Sequence, residues 1–451
     1  MVKKFRNKFI FGVSTSSYQI EGAVAEDGRS PSIWDTFSKT PGNVYDGHTG
    51  DIACDHYHRF KEDVELLKEI GVDSYRFSIS WSRIFPEKGK YNPKGMKFYK
   101  ELVNELNKKG IRPMATLYHW DLPEWAYKMG GWLNRDSVSW FKEYAIKVFE
   151  ELNDSVRFWI THNEPFCTSI LGYAKGEHSP GHKDMREALI VSHHVLLSHG
   201  VVVKAFRKFG FKDSEIGIAL NLTPFYPASD SKEDKDAAFR ADGLTNRWFL
   251  DSIFKTSYPE DMKKVFNKFV GEFDFVKDGD LQTISTKNDF LGVNYYTRNI
   301  IKFSQNSELK YEQVHGNFER TAMDWEICPE ALRDIIIRIR EEYTKVPIYI
   351  TENGAAFDDV LSKEKRVHDF KRIEYVRRHL IEIAKLNEQG ANIKGYYLWS
   401  FMDNFEWTYG YSKRFGIVFV DYETQERILK DSAIWYKNIK KLEFLHFLQP
   451  K

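Results

Sequence analysis

The stretch "YITENGAAF", residues 349–357, reads as a short apolar strand that ends in a carboxylate. On an extended strand Ile348, Ile350 and Glu352 project to the same face, because side chains alternate between faces. The two isoleucines predict that this face belongs to a core. Asn353 and the glycine after it then turn the chain. An ionisable group at the end of a buried row is not needed for packing, so the residues at the other strand ends bear on its role.

Short apolar or β-branched runs recur along the chain, and longer helical patterns separate most of them. The runs are residues 9–13, 74–80, 112–117, 156–160, 215–220, 289–293, 347–350 and 395–399. Alternating strands and helices predict a parallel sheet. Eight repeats without a low-complexity linker favour a closed (β/α)8 TIM barrel, an α/β fold, over an open sheet.

The chain is longer than such a barrel requires. A bare barrel takes about 250 residues, whereas this chain has 451. We expect the surplus in long βα loops that form the mouth of the barrel, at residues 18–58, 173–186, 222–250 and 298–328. The chain as a whole, residues 1–451, is predicted to be one catalytic domain.

Local signals mark the helix ends. The stripe of Phe60, Val64 and Leu67 predicts a helix that ends at Gly71, a residue suited to the left-handed conformation. Asp136 is a plausible cap for a later helix. The segment "SDSKEDKD" at 229–236 is expected to be a solvated loop or a helix start.

Composition narrows the class of protein. Apolar residues make up 42% and charged residues 29% of the chain, which fits a globular protein. The 66 basic and 65 acidic side chains give a net charge of +1, which does not indicate a nucleic-acid or membrane-surface partner. The 12 Trp, 24 Tyr and 34 Phe are enough to supply a pocket with aromatic walls as well as a core.

The cysteines and the start of the chain bear on location. Cys54, Cys167 and Cys328 match no zinc or redox spacing, so we expect no disulfide framework and a reducing compartment. The basic start at residues 1–17 contains an apolar run shorter than a signal peptide requires. These features predict a cytoplasmic protein, and they leave open whether it forms a homo-oligomer.

Polar and aromatic side chains follow most of the predicted strands. In (β/α)8 barrels the active site lies at the carboxyl ends of the strands. The residues at these ends are Arg76, Trp81, His119, Trp120, Asn163, Glu164, Asn294, Tyr296, Glu352, Trp399, Glu406 and Trp407. A single glutamate after a strand is more often a cap or an ion-pair partner. Two on the fourth and seventh strands, nearly opposite each other, favour a catalytic pair.

Glycosidic bond cleavage requires such a set. One carboxylic acid protonates the leaving oxygen while a carboxylate attacks or stabilises the anomeric carbon. We expect Arg76 to keep one glutamate ionised, and the other to have a raised pKa. The histidines in "DHYH" (55–58) and "SHHVLLSH" (192–199) are better explained as structural, so no metal site and no cofactor is predicted.

The chain resembles the bacterial β-glucosidases of glycoside hydrolase family 1. The motifs that carry the resemblance are "FGVSTSSYQIEGA", "GRSPSIWDTF", "GDIACDHYHRFKEDV", "YRFSISWSRI", "LYHWDLP", "NEP", "ADGLTNRWFLD", "LGVNYYT", "ITENGAA", "LWSFMDNFEW" and "GYSKRFGIVFVDY". They occur in family order over nearly the whole chain. The resemblance implies a retaining enzyme that cleaves terminal β-glucosyl residues from cellobiose, cellodextrins and aryl or alkyl β-glucosides, and that also accepts β-galactosides or β-fucosides in some members.

The resemblance also implies roles for individual residues. Glu164 corresponds to the acid/base and Glu352 to the nucleophile. Arg76 and Tyr296 correspond to residues that hold the nucleophile and lower its pKa, and Asn294 to a supporting contact. The substrate-binding positions are Gln19, His119, Trp120, Asn163, Trp325, Trp399, Glu406 and Trp407. Asp324 and Cys328 stand where relatives often have Gly and Tyr, so the resemblance does not extend to the acceptor side at these two positions.

Three other functions remain as alternatives. A 6-phospho-β-glucosidase would lack an acidic residue at the position of Glu406, because a carboxylate repels a phosphate. A non-catalytic sugar-binding barrel would usually have lost one of the two carboxylates. A metal-dependent hydrolase would require several ligands at the strand ends, where His119 is the only histidine.

Overall fold

The computed structural model describes residues 9–441, and within them eight parallel strands close into a barrel. The strands of this part of the chain are β1 (Ile10–Ser14), β2 (Ser74–Ser78), β3 (Arg112–Tyr118), β4 (Phe158–Asn163), β5 (Glu215–Asn221), β6 (Phe225–Pro227), β7 (Phe290–Asn294), β8 (Asn299–Phe303), β9 (Tyr311–Val314), β10 (Ile348–Asn353), β11 (Ile393–Trp399), β12 (Val418–Val420) and β13 (Arg427–Leu429). Around the barrel the order is β1-β11-β10-β7-β5-β4-β3-β2. The predicted (β/α)8 fold is confirmed, and all eight predicted runs lie on barrel strands.

The helices form the outer layer. They are α1 (Ser17–Ile20), α2 (Ile33–Lys39), α3 (His56–Ile70), α4 (Trp81–Ile84), α5 (Pro93–Lys108), α6 (Glu124–Lys128), α7 (Ser137–Leu152), α8 (Met185–Phe209), α9 (Lys232–Asp242), α10 (Trp248–Phe254), α11 (Glu260–Val270), α12 (Asp280–Ile284), α13 (Pro329–Glu342), α14 (Phe370–Glu388) and α15 (Asp431–Lys441). Residues 167–175 and 243–247 are π-helical. As predicted, the stripe on α3 is buried, and Gly71 ends that helix with φ 77°.

The core has two parts. Side chains inside the lower barrel, among them Met114, Phe158, Phe290 and Tyr397, form one buried cluster. A much larger cluster lies between the strands and the helices. Helix α8 is long and apolar enough to cross a membrane by composition, but 83% of its apolar window is buried inside the protein. It is therefore packed as a core helix of the barrel.

The long loops contain structure of their own. The segment after β5 adds β6 and α9, and the segment after β7 adds β8 and β9. In the three-stranded sheet that results, β8 lies between β6 and β9 and pairs with both. Ser231 caps α9 by accepting from the backbone of Asp234, so the polar segment at 229–236 is a helix start. Asp136 occupies the predicted N-cap position of α7, although its side chain makes no capping hydrogen bond. The single-domain assignment of residues 1–451 stays a prediction, and residues 1–8 and 442–451 lie outside the described part.

Candidate active site

The carboxyl ends of the barrel strands surround a cavity of about 730 Å³. Ten of the predicted site residues line it, namely His119, Trp120, Glu164, Asn294, Tyr296, Trp325, Glu352, Trp399, Glu406 and Trp407. Arg76, Asn163 and Gln19 are buried and bonded to protein side chains or backbone around it. The structure thus brings the predicted residues together at one end of the barrel.

Glu352 is fixed by two donors. It is the next-to-last residue of β10 and has 4% of its surface exposed. Arg76 Nη1 donates to Oε1 at 2.6 Å and the Tyr296 hydroxyl donates to Oε2 at 2.6 Å. Each carboxylate oxygen therefore has its own donor, one of them cationic, which assigns the negative charge of the site to Glu352.

Arg76 and Tyr296 both lower the pKa of Glu352, as predicted, but burial is the larger influence. Burial raises the pKa of Glu352, while the charge of Arg76 and the hydrogen bonds from Tyr296 and Arg76 oppose that rise. Arg76 and Tyr296 contribute with the expected sign. Sequence reasoning omitted the desolvation of a carboxylate enclosed at the top of the barrel, and this effect is the larger one.

Glu164 is the second carboxylate of the cavity. Asn294 Nδ2 donates to its Oε1 at 2.7 Å, and the Cys167 thiol donates to its Oε2 at 3.0 Å. No cation contacts it among the hydrogen bonds and ion pairs of residues 9–441. Burial, together with repulsion from Glu352, raises the pKa of Glu164 to about 7. This carboxyl can therefore hold a proton near neutral pH while Glu352 is ionised, as we expected from the sequence.

A network of amides joins the two carboxylates. Asn163 Oδ1 accepts from Arg76 Nη2 at 2.6 Å and from Asn294 Nδ2 at 2.9 Å. The Thr351 hydroxyl donates to Asn294 Oδ1 at 2.6 Å, which fixes the amide with its nitrogen toward Glu164.

His119 is a neutral member of this network. Asn163 Nδ2 donates to its Nε2 at 3.1 Å, so Nδ1 carries the ring proton. Burial and the nearby charge of Arg76 hold the pKa of His119 well below its usual range. The ring stacks on Trp399 and on Trp407, with centroids 5.9 Å apart in each pair.

Glu406 is a third carboxylate in the cavity. Burial and the charges of Glu352 and Glu164 raise the pKa of Glu406 to about 8. Its Oε2 accepts no hydrogen bond from the described residues. The adjacent Trp407 packs with its ring centroid 4.5 Å from that of Trp120. A polar ligand group and an aromatic surface therefore lie side by side, as sugar binding requires.

Trp325 lies on another wall of the cavity. It packs against Tyr296 with ring centroids 5.3 Å apart and against Phe415 at 6.2 Å. Asp324, where relatives often have glycine, has φ 60° and an ion pair with Arg320 at 2.8 Å. The chain therefore keeps the left-handed turn that a glycine would favour.

Sequence reasoning missed several residues of the cavity. Cys167 was considered only for zinc, redox and disulfide spacing, although its position three residues after Glu164 is a signal for a shared turn. Asn221, the last residue of β5, follows the predicted run 215–220, so the strand-end rule could have found it. Gln313 on β9 and His178 and Tyr409 after β4 and β11 also line the cavity, from segments whose course the sequence does not reveal. Within residues 9–441 no cluster of His, Cys, Asp and Glu can hold a metal ion.

The comparisons with known proteins agree with this geometry. The model of the family "Glycosyl hydrolase family 1" matches residues 1–444. The chain belongs to this family. It is therefore a glycoside hydrolase, and its substrates are sugars.

Close relatives match over almost the whole chain. "Beta-glucosidase A" of Acetivibrio thermocellus is 50% identical over 97% of this chain and 98% of its own length. "Beta-glucosidase A" of Thermotoga maritima is 48% identical over 98% of both chains. The crystal structure of the GH1 beta-glucosidase from Exiguobacterium antarcticum B7 superposes with a TM-score of 0.96 at 55% identity, over 97% of this chain and 98% of that one.

Proposed function

We propose that the protein is a retaining β-glucosidase that removes terminal non-reducing β-D-glucosyl residues from cellobiose, cellodextrins and aryl or alkyl β-glucosides. The observation that carries the proposal is the unequal support of two carboxyls in one cavity. Glu352 has a cationic donor and a phenolic donor, whereas Glu164 has an amide and a thiol. This division suits one nucleophile and one acid/base.

The reaction proceeds in two displacements. Glu352 attacks the anomeric carbon while Glu164 gives its proton to the leaving glycosidic oxygen, which forms a glycosyl-enzyme ester. Glu164, now ionised, takes a proton from water as that water attacks the anomeric carbon and releases Glu352. Arg76 and Tyr296 hold the nucleophile in position during both steps.

A chain of side-chain hydrogen bonds joins the two carboxyls. Arg76, which holds Glu352, also donates to Asn163, and Asn163 accepts from Asn294, which donates to Glu164. Both carboxyls therefore belong to one cavity, as attack and protonation at a single glycosidic bond require. Retaining enzymes separate their carboxyl groups by about 5–5.5 Å, and inverting enzymes by about 6.5–9.5 Å, so the retaining assignment depends on this separation.

Glu406 argues for an unphosphorylated sugar. It is buried in the cavity beside two further carboxylates, and no cation contributes to the causes of its raised pKa. A phosphate dianion beside Glu406 would lie next to acidic side chains, and no cation acts on that carboxyl. By family resemblance, Glu406 instead bonds two hydroxyls of the glucosyl group, and Trp399 forms the floor beneath it.

The test is turnover of a panel of aryl β-glycosides and cellobiose by the purified protein. We expect the glucoside and cellobiose to be hydrolysed, and the first product seen by proton NMR to be the β-anomer. An α-anomer as first product would contradict a retaining mechanism. Absence of turnover on the whole panel would favour a sugar-binding protein, and selective turnover of the 6-phosphoglucoside would favour the phospho-sugar alternative.

We also propose a cytoplasmic location, which the reduced state of all three cysteines supports. Cell fractionation with an antibody to the chain would test it. Cofactor independence and the oligomeric state stay predictions, to be checked by activity in EDTA and by analytical ultracentrifugation.

A further inference from the structure

Cys167 lies beneath the carboxyl of Glu164. It is the first residue of the π-helix Cys167–Lys175, and its backbone N–H donates to the carbonyl oxygen of Glu164 at 2.9 Å. This turn brings Sγ to 3.0 Å from Oε2 of the same glutamate. The thiol is 7% exposed and borders the catalytic cavity. The contact is therefore built by the local backbone and not by a flexible side chain alone.

The thiol supports an oxygen that has no other protein donor. Within the part of the chain that the structure describes, Oε2 of Glu164 accepts only from Cys167, and Oε1 accepts only from Asn294. Removing the thiol would leave the carboxyl held at one oxygen. The carboxyl group would then be free to rotate about the bond that joins it to its side chain.

The chemistry of a thiol suits an acid/base that must change protonation state. An S–H group is a weak donor and its sulfur is a weak acceptor. Burial, together with the charge of Glu164, raises the pKa of the Cys167 thiol well above its usual range, so it keeps its own proton. A hydroxyl at this place would be a stronger donor and would favour the ionised carboxylate more.

We propose that Cys167 is a positioning residue of the acid/base, whose S–H donates to Oε2 and sets both the orientation of the Glu164 carboxyl and the balance between its two protonation states. The proposal rests on the assignment of Glu164 as acid/base. No proton leaves the thiol during the cycle. Its donation favours the carboxylate slightly and leaves Glu164 protonated at the start of each turnover.

Other charged groups around this contact remain unchanged when Cys167 is replaced. Titratable and charged groups that act on Glu164 or on the thiol are Glu352, Glu406, Arg76, Tyr296 and Lys175. A change in the titration of Glu164 in a Cys167 variant is therefore a direct readout of the lost or altered hydrogen bond.

The first test compares Cys167→Ala with Cys167→Ser in the pH profile of kcat/KM on an aryl β-glucoside. Loss of the donor in Cys167→Ala should move the alkaline limb of the profile to higher pH by roughly half a pH unit, the size expected for one weak hydrogen bond. The stronger hydroxyl donor in Cys167→Ser should move the limb to lower pH. Shifts of opposite sign are not expected from general loosening of the fold.

Cys54→Ser is the matched control. The Cys54 thiol is also buried, but it donates to the backbone oxygen of Asp403 at 3.0 Å and does not border the cavity. The alkaline limb of the pH profile of Cys54→Ser should coincide with that of the native protein. Melting temperatures of the three variants establish that each is folded at the temperature of the assay.

The second test does not depend on turnover. In protein labelled with ¹³C at the glutamate carboxyls, the Glu164 resonance is assigned by its loss in Glu164→Gln and is then titrated in each variant. Opposite shifts in Cys167→Ala and Cys167→Ser would support the proposal, and titration unchanged from the native protein in both would overturn it. A native protein that turns over no glycoside would instead contradict the proposed function, while this titration would still decide the role of the thiol.

Discussion

Three side chains of the cavity stand on backbone conformations that are unfavourable for their residue types. Trp120 has φ 78°, Glu164 has φ 49° and Trp407 has φ 48°. Conformations of this kind cost about 1–3 kcal/mol each in non-glycine residues, and they persist where the surroundings hold them. Here the turns at the strand ends direct an acid and two indoles into the same space. These three residues thus lower the stability of the fold, and the same conformations orient their side chains into the cavity.

The support of Glu352 leads to a prediction for Glu352→Ala. The methyl group cannot form the glycosyl-enzyme ester, so kcat should fall on the order of 10⁴-fold or more, as when nucleophiles are removed from other covalent enzymes. Azide can occupy the space left by the carboxylate and attack the anomeric carbon, so it should restore some turnover. Steady-state rates with and without azide measure this, and Glu374→Ala on the surface is the control. A variant that keeps most of the native rate would show that another group is the nucleophile.

Glu164→Gln tests the proton donor. Glutamine preserves the shape of the side chain but cannot protonate a leaving oxygen, and general acid catalysis contributes about 10²–10⁴-fold. We expect this full loss for cellobiose and a much smaller loss in the first step for a dinitrophenyl glucoside, whose leaving group needs no proton. Pre-steady-state bursts separate the two steps. Equal losses on both substrates would remove Glu164 from this role.

At the scale of the elements, the sequence predicted the barrel because each strand carries its own signal. Apolar runs such as 215–220 and 289–293 lie on β5 and β7, within one residue of the observed bounds. The helices between them follow from apolar stripes that end at residues such as Gly71. Strand ends also predicted the site, since side chains that follow parallel strands collect at one edge whatever the loops do.

Other features have no local signal. The conformations of Trp120 and Glu164 are imposed by tertiary contacts, because bulky side chains do not favour positive φ. The small sheet of β6, β8 and β9 is formed by loop segments whose pairing partners lie far apart in sequence. The net direction of the Glu352 pKa depends on burial, which only the assembled barrel shows.

Two loops at the mouth are joined by a buried ion network. Lys430 is fully buried and pairs with Asp359 in the loop after β10 and with Asp403 in the loop after β11, the second contact at 2.7 Å. Asp359 also pairs with Arg372 at 2.8 Å. Asp403 precedes Asn404 and Glu406, so the network holds the loop that carries the proposed sugar-binding carboxylate.

Lys430→Met should therefore destabilise the protein strongly. Removing one partner of a buried pair leaves uncompensated charge and costs about 3–5 kcal/mol. The matched control is Lys365→Met, because Lys365 pairs with Glu426 in solvent, and exposed pairs are worth at most about 1 kcal/mol. Urea unfolding of both variants measures the difference. Equal free energies of unfolding would mean that the buried network does not stabilise the mouth.

At the scale of the whole molecule, the buried carboxyls of the cavity lower the free energy of unfolding by an amount that depends on pH. Glu164 and Glu406 have pKa values of about 7 and about 8 in the folded protein, because they are buried beside Glu352. In the unfolded chain a glutamate titrates near 4.3. Between these values the unfolded state binds fewer protons than the folded one, so folding becomes less favourable as pH rises. Below about pH 4.3 these carboxyls are protonated in both states, and they no longer lower the free energy of unfolding.

Glu406→Gln removes the contribution of one of these carboxyls to the pH dependence of stability. Glutamine carries no titrating proton, so the variant should match the native protein in stability near pH 4.5 and become progressively more stable than it up to pH 8. Each unit of pKa difference is worth about 1.4 kcal/mol, which sets an upper limit of about 5 kcal/mol for this residue. Free energies of unfolding in urea at pH 5 and pH 8 measure the effect, with the exposed Glu426→Gln as control. A stability difference that does not change with pH would contradict the raised pKa of Glu406. The same variant should lose turnover of glucosides, because the carboxylate that destabilises the empty cavity is the one proposed to hold the sugar.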